Sequence, residues 1–214
     1  MRKAAALAGI WIAALVVGTA VGAGDWEHWA GVDIAGALAD GLTIRIAPEV
    51  RSREDFTTHY EGHFDTGIEW KVRKWLAVGP YYRHATQMKG ESWQVEHRPH
   101  MDITLSWKFL GLRLGDRSRL AYRIIDKNES LRYRNRLMAR FPERTPGGLR
   151  PYVGEEIFYD FDLGEINKNR LAVGFDFAVS TTTRLDISYL LESAKKSDHW
   201  SSANVLKTTL IIRP

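Results

Sequence analysis

The sequence contains no cysteine among its 214 residues, so neither a disulfide staple nor a thiolate metal site is available to it. It has only one long apolar run, at its start, and no second stretch of roughly 18 or more apolar residues that could cross a bilayer as a helix. Charge of one sign is scarce as well. The 30 Lys+Arg residues stand against 26 Asp+Glu, and a formal charge of +4 argues only weakly for a polyanion partner. What is present is 44% hydrophobic and 26% charged residue content, which excludes a disordered chain and suits one domain at this length.

The apolar run has the build of a secretory signal. Met1-Arg2-Lys3 is a short positive region, Ala4 to Val17 is continuously apolar, and Val21-Gly22-Ala23 supplies small residues at cleavage spacing. This predicts a signal peptide over residues 1–23 and a single domain over residues 24–214. The small residues from Gly18 to Gly24 count against the alternative, an uncleaved helical anchor. An exported domain without a staple must satisfy its backbone in some other way.

From Glu27 onward the hydrophobic period is two, in segments of about ten residues. Met101, Ile103, Leu105, Trp107 and Phe109 alternate with His100, Asp102, Thr104, Ser106 and Lys108 without an exception. Leu42, Ile44, Ile46 and Val50 alternate in the same way, as do Leu171, Val173, Phe175 and Phe177, and then Leu185, Ile187, Tyr189 and Leu191. Short connections at 39–41, 73–75, 110–111 and 180–182 alternate with longer polar ones at 52–59, 85–96, 125–129, 163–169 and 194–201. The turn-rich stretch from Pro142 to Pro151 falls where a short connection is due. The pattern predicts an all-β, antiparallel up-and-down meander of about 10 to 12 strands.

Such a meander closes either as a soluble barrel or sandwich with its apolar face inside, or as a transmembrane β-barrel with that face outside. Trp70, Trp75, Trp93, Trp107, Phe109 and Phe141 all lie near turns or strand ends, as interfacial girdles require. Ten residues is also the span of a tilted membrane strand. These features favour the outer-membrane barrel, with outer-membrane lipids, the assembly machinery and periplasmic chaperones as implied partners. Eleven segments can be counted between Glu27 and Arg213, whereas bacterial single-chain barrels have even numbers. The expectation is therefore that the alanine- and glycine-blurred segment from Glu27 to Leu38 lies outside the barrel, or that one strand is missed.

Several short motifs carry a family likeness: Arg117-Ser118-Arg119-Leu120, Leu131-Arg132-Tyr133-Arg134-Asn135-Arg136-Leu137, Pro151-Tyr152 followed by Glu155-Glu156-Ile157-Phe158, and Asn169-Arg170-Leu171. On these the chain resembles domain-of-unknown-function family 2490 over about Trp26 to Ile212. The resemblance implies an outer-membrane barrel and no particular activity.

At period two, Arg132, Arg134, Arg136 and Arg140 share one face, and Arg113, Arg117, Arg119 and Arg123 share the matching face of the segment before. Turning such a wall to lipid would cost roughly 2 to 4 kcal/mol per arginine near the midplane, so it must face the lumen. Carboxylates at Glu49, Glu61, Asp65, Glu69, Asp102, Glu156, Asp160, Asp176, Asp186 and Glu192 are expected on inward faces, with Arg170 also turned inward. The expected result is a charge-packed lumen, because guanidinium forks pair bidentately with carboxylates. The functional alternative is a passage or site for a small anionic solute. Stacking aromatics are missing from the arginine face, which counts against nucleic acid. Of two adjacent residues in a strand only one faces inward, so Glu156 is expected inside and Glu155 near the short-turn interface.

A different class of function is a barrel lipid hydrolase. His97, His100 and Asp102 together, or His59 with His63, could form an acid–base site in the longer connections. No lipase-type serine motif accompanies them, so no catalytic residue is assigned, and neither a metal nor a cofactor is expected. A third possibility is a soluble periplasmic barrel that binds an acidic ligand.

Overall fold

The computed structural model describes residues 26–143, 148–196 and 199–214. The expected signal peptide, residues 1–23, lies outside the described residues. Eleven strands form among them: β1 (Trp26–Ala39), β2 (Leu42–Arg53), β3 (Thr58–Arg73), β4 (Leu76–Lys89), β5 (Ser92–Phe109), β6 (Leu112–Ile125), β7 (Asn128–Arg140), β8 (Arg150–Asp160), β9 (Glu165–Ala178), β10 (Thr183–Lys196) and β11 (His199–Ile212). Each pairs antiparallel with the next, and β1 closes on β11 to complete a barrel.

All eleven segments counted in the sequence are strands, and the expected even number is wrong. An odd count leaves the first and last strands running in the same direction, so the closing pair is parallel, from Trp26 opposite Asn204 to Ile34 opposite Ile212. The first segment is inside the barrel because closure gives its backbone partners on both sides, β2 and β11, whatever its blurred faces suggest.

The strands are also longer than expected, from 11 residues in β8 to 18 in β5. The expected long connections are mostly strand. Ala85 pairs with Glu96 and the ladder continues to Lys89 opposite Ser92, leaving a turn of two residues at 90–91. Alternation fades there because near the end of the barrel both faces of a strand meet water. The longest interval between strands is instead residues 141–149, of which 141–143 and 148–149 are described, at the end where short turns were expected. The tight turns use left-handed backbone, as at Leu110 and Gly111, with φ of 50° and 81° respectively.

The barrel is inside out relative to a soluble protein. Thirty-two large hydrophobic residues are exposed among those described, while thirteen of the buried side chains are polar or charged. Outward faces carry Ile44, Ile46, Val50, Met101, Ile103 and Leu120, with Trp70, Trp75, Trp107 and Phe109 towards one rim and Trp93, Phe161 and Trp200 towards the other. A continuous apolar exterior of this kind marks contact with lipid or protein. The exterior is not wholly apolar. Asn135 Nδ2 donates to Asp116 Oδ1 at 2.8 Å and to Ser118 Oγ at 3.3 Å, and Asn169 Nδ2 donates to Glu155 Oε1 at 3.0 Å. Glu155 therefore lies in the middle of β8 rather than near a turn, and its outward carboxylate is tolerated because Asn169 satisfies part of it.

Candidate functional site in the barrel lumen

The arginine wall comes from register. Strands β6 and β7 pair so that Arg117 faces Arg136, Arg119 faces Arg134 and Arg113 faces Arg140, and period two turns all of them to the lumen side. Like charges placed directly opposite each other repel, so the wall needs counter-charges from neighbouring strands.

Most of these are present. Arg119 forms a fork with Asp102 at 2.7 and 2.8 Å, and Arg123 forms one with Glu96 at 2.7 and 3.0 Å. Arg132 donates to Asp160 at 2.8 Å. Glu156 is shared: Arg134 donates to it at 2.5 Å, Arg170 at 3.2 Å, and Arg117 reaches over β7 to it at 3.4 Å. Arg170 also donates to Glu192 at 2.5 Å. Towards the rim, Asp176 accepts from Arg150 at 2.6 Å and from Arg184.

The opposite side of the lumen continues the network, where the expected carboxylates Glu49, Glu61 and Asp65 meet Arg51 and Arg83, which the sequence did not single out. Arg83 forks onto Asp65 at 2.8 and 2.6 Å, and Arg51 lies 2.7 Å from Glu49 and 3.1 Å from Glu61. Trp29 joins the two sides. Its ring centroid is 3.7 Å from the guanidinium carbon of Arg51 and 4.8 Å from that of Arg170, within cation–π range, and the side chain is 2% exposed. Its indole N–H donates to Glu27 at 2.9 Å, which also accepts from Tyr60 at 2.6 Å. The only signal for Trp29 and Arg51 was their parity with Asp33 and Arg45, hidden for Trp29 by the blurred faces of β1.

Three arginines of the expected wall are not paired. Arg136 and Arg140 have no described carboxylate within 4.0 Å, and the Nε atoms of Arg117 and Arg136 are buried without a hydrogen-bond partner. Arg140 instead sits 5.9 Å from the ring centroid of Tyr152. Arg113 is exposed at the rim, outside the packed network. Arg117, Arg136 and Arg140 line a cavity of about 670 Å³ that runs from the mid-lumen ion pairs towards the end bearing residues 141–149. Ten cationic side chains and seven inward-facing carboxylates line it, Glu155 pointing outward, so its charge is positive.

The histidines do not assemble a site. All seven lie in strands rather than loops. His100 is buried in the lumen, while His97, three residues away, is on the exterior with Nδ1 2.5 Å from the Tyr82 hydroxyl. His63 is inside, 3.0 Å from Glu61, but the irregularity opposite Arg51 and Ser52 turns His59 outward. Asp102 is committed to Arg119. Among the described residues no group of three His, Asp or Glu side chains is placed to hold a metal.

The family described as "Protein of unknown function (DUF2490)" matches residues 26–203, from the start of β1 into β11. The chain belongs to DUF2490. No curated protein matches it. Among solved structures, this DUF2490 chain is similar to an anion-selective porin from Comamonas acidovorans, with a TM-score of 0.40 and 10% identity over 80% of this chain. The match covers 53% of the porin, so the chain spans about half of that protein's length. At such distance the porin's selectivity is not carried over to DUF2490.

Proposed function

We propose that this DUF2490 protein is an integral outer-membrane β-barrel that is closed at rest, a gated or structural envelope component rather than an open pore. The membrane reading is supported by the apolar exterior and by closure, which satisfies every strand edge, the one strand architecture that lipid permits. The closed reading rests on a single observation. The chain of contacts Asp102, Arg117, Glu156, Arg170, Trp29, Arg51 and Glu61 runs round the lumen wall at mid-depth, and its longest step, from Arg170 on β9 to Trp29 on β1, spans the two strands between them. Large side chains cross-linked in this way support a lumen filled by its own residues at that depth, as in small barrels.

The test is conductance in a planar bilayer. The wild-type barrel gives no steady current, while Trp29→Ala, which removes the ring bridging Arg51 and Arg170, opens a measurable one. A steady wild-type current would overturn the closed reading. Recovery of the protein as a soluble species without heat-modifiable gel mobility would overturn the membrane reading.

A further inference from the structure

We infer that the cavity below the ion-pair layer is a binding site for a small phosphate-bearing dianion, held by Arg136 and Arg117, with Arg140 extending the positive wall. The inference deepens the closed-barrel reading, because a blocked barrel with a one-sided cavity binds a solute rather than passing it. Arg136 carries the argument. It lines the cavity, its Nε is buried without a hydrogen-bond partner, and its nearest cross-strand neighbours are Arg117 on one side and Glu156 on the other. Glu156, opposite it on β8, is drawn into contact by Arg134, Arg170 and Arg117 and makes no hydrogen bond to Arg136. Asp102 is held in a fork by Arg119. Of the other acids facing the cavity, Asp186 accepts from the Tyr152 hydroxyl at 2.9 Å, and Glu69 comes from β3, on the far wall.

Leaving a buried guanidinium N–H without an acceptor is costly, and placing a second guanidinium opposite it adds repulsion. A protein that only needed a plugged lumen would gain from a carboxylate or an apolar residue here. An oxyanion with two charges answers both costs, since its oxygens accept from two guanidinium forks at once. Arg140 lies four residues on, about 13 Å along the strand at 3.3 Å per residue, next to Tyr152, and a flexible side chain there extends the positive wall towards the cavity mouth. The closed sheet separates the cavity from the acyl chains, so the ligand is a free solute rather than a lipid headgroup.

Calorimetric titration with inorganic phosphate and glycerol 3-phosphate, in a phosphate-free maltoside detergent at low salt, tests this. Saturable binding is expected, weakened at least tenfold by Arg136→Gln and less than twofold by Arg113→Gln at the rim. Met138→Glu is the second variant. Met138 lies between Arg136 and Arg140 on the same face and lines the cavity, so a carboxylate there neutralises the wall from within. It is expected to abolish phosphate binding while raising resistance to unfolding, a combination that a merely damaged barrel would not show. An arm with short-chain phosphatidic acid distinguishes the source, and competition by it at equal concentration would overturn the solute assignment. Absence of phosphate binding by a heat-modifiable, electrically silent barrel would overturn the site and leave the closed-barrel reading intact.

Discussion

Replacing Glu156 by Gln removes one charge and leaves three guanidiniums around an amide. The wild-type carboxylate lies 2.5 Å from Arg134, 3.2 Å from Arg170 and 3.4 Å from Arg117, and its side chain is 7% exposed, so solvent offers little screening. Breaking a buried ion pair by removing one partner costs about 3–5 kcal/mol, since the surviving charge stays desolvated. Gln keeps its oxygen for Arg134 and Arg117 but turns an N–H towards Arg170, which places the expected loss within that range. Equilibrium urea unfolding in lipid, followed by tryptophan fluorescence, reads it as a lowered midpoint with an unchanged slope. Arg134→Gln in the same background should recover part of the loss, because it removes one of the stranded charges. The control is Glu54→Gln, whose ion pair with Arg53 at 3.8 Å is between side chains 60% and 38% exposed and should cost below about 1 kcal/mol. A Glu156→Gln loss no larger than that of the control would refute the view that the network is a dry, cross-linked layer.

Two further outcomes follow from the exterior and the sheet. Met101 is 48% exposed on the outward face of β5, so Met101→Lys should cost roughly 2 to 4 kcal/mol in lipid, and a neutral effect in the same urea assay would count against lipid contact there. Gly79 admits no side chain, because a Cβ would come within 2.1 Å of the Ile68 carbonyl oxygen; Gly79→Ala should cost about 1–3 kcal/mol and lower the temperature at which the barrel loses its heat-modified mobility.

The alternation of Met101 to Phe109 was enough to place β5, and the parity of the arginines was enough to bring Arg117, Arg119, Arg132, Arg134 and Arg136 onto one wall. Period two survives any change in register, so the face of a residue is legible from sequence even when its neighbours are not. Choice of partner was not legible. That Glu156 takes Arg117 depends on a side chain reaching over an intervening strand, and that Arg136 is left over depends on Glu156 being taken. Local irregularity was hidden too. Tyr60 and Glu61 are both buried on consecutive positions of β3, which breaks the alternation and sends His59 to the outside although it is four residues from His63. Parallel closure leaves no trace in the periodicity, because it is decided only by whether the number of strands is odd.

The odd count has a practical corollary for topology mapping. In an even barrel the beginning of the first strand and the end of the last emerge at the same rim, but here Trp26 and Ile212 stand at opposite rims, joined by a wall in which β1 and β11 run side by side. Because the chain has no cysteine, a single thiol introduced beside either residue is the only one available to a label. Two such variants, treated on intact cells with a maleimide that cannot cross the outer membrane, would give opposite answers in this barrel and the same answer in an even one.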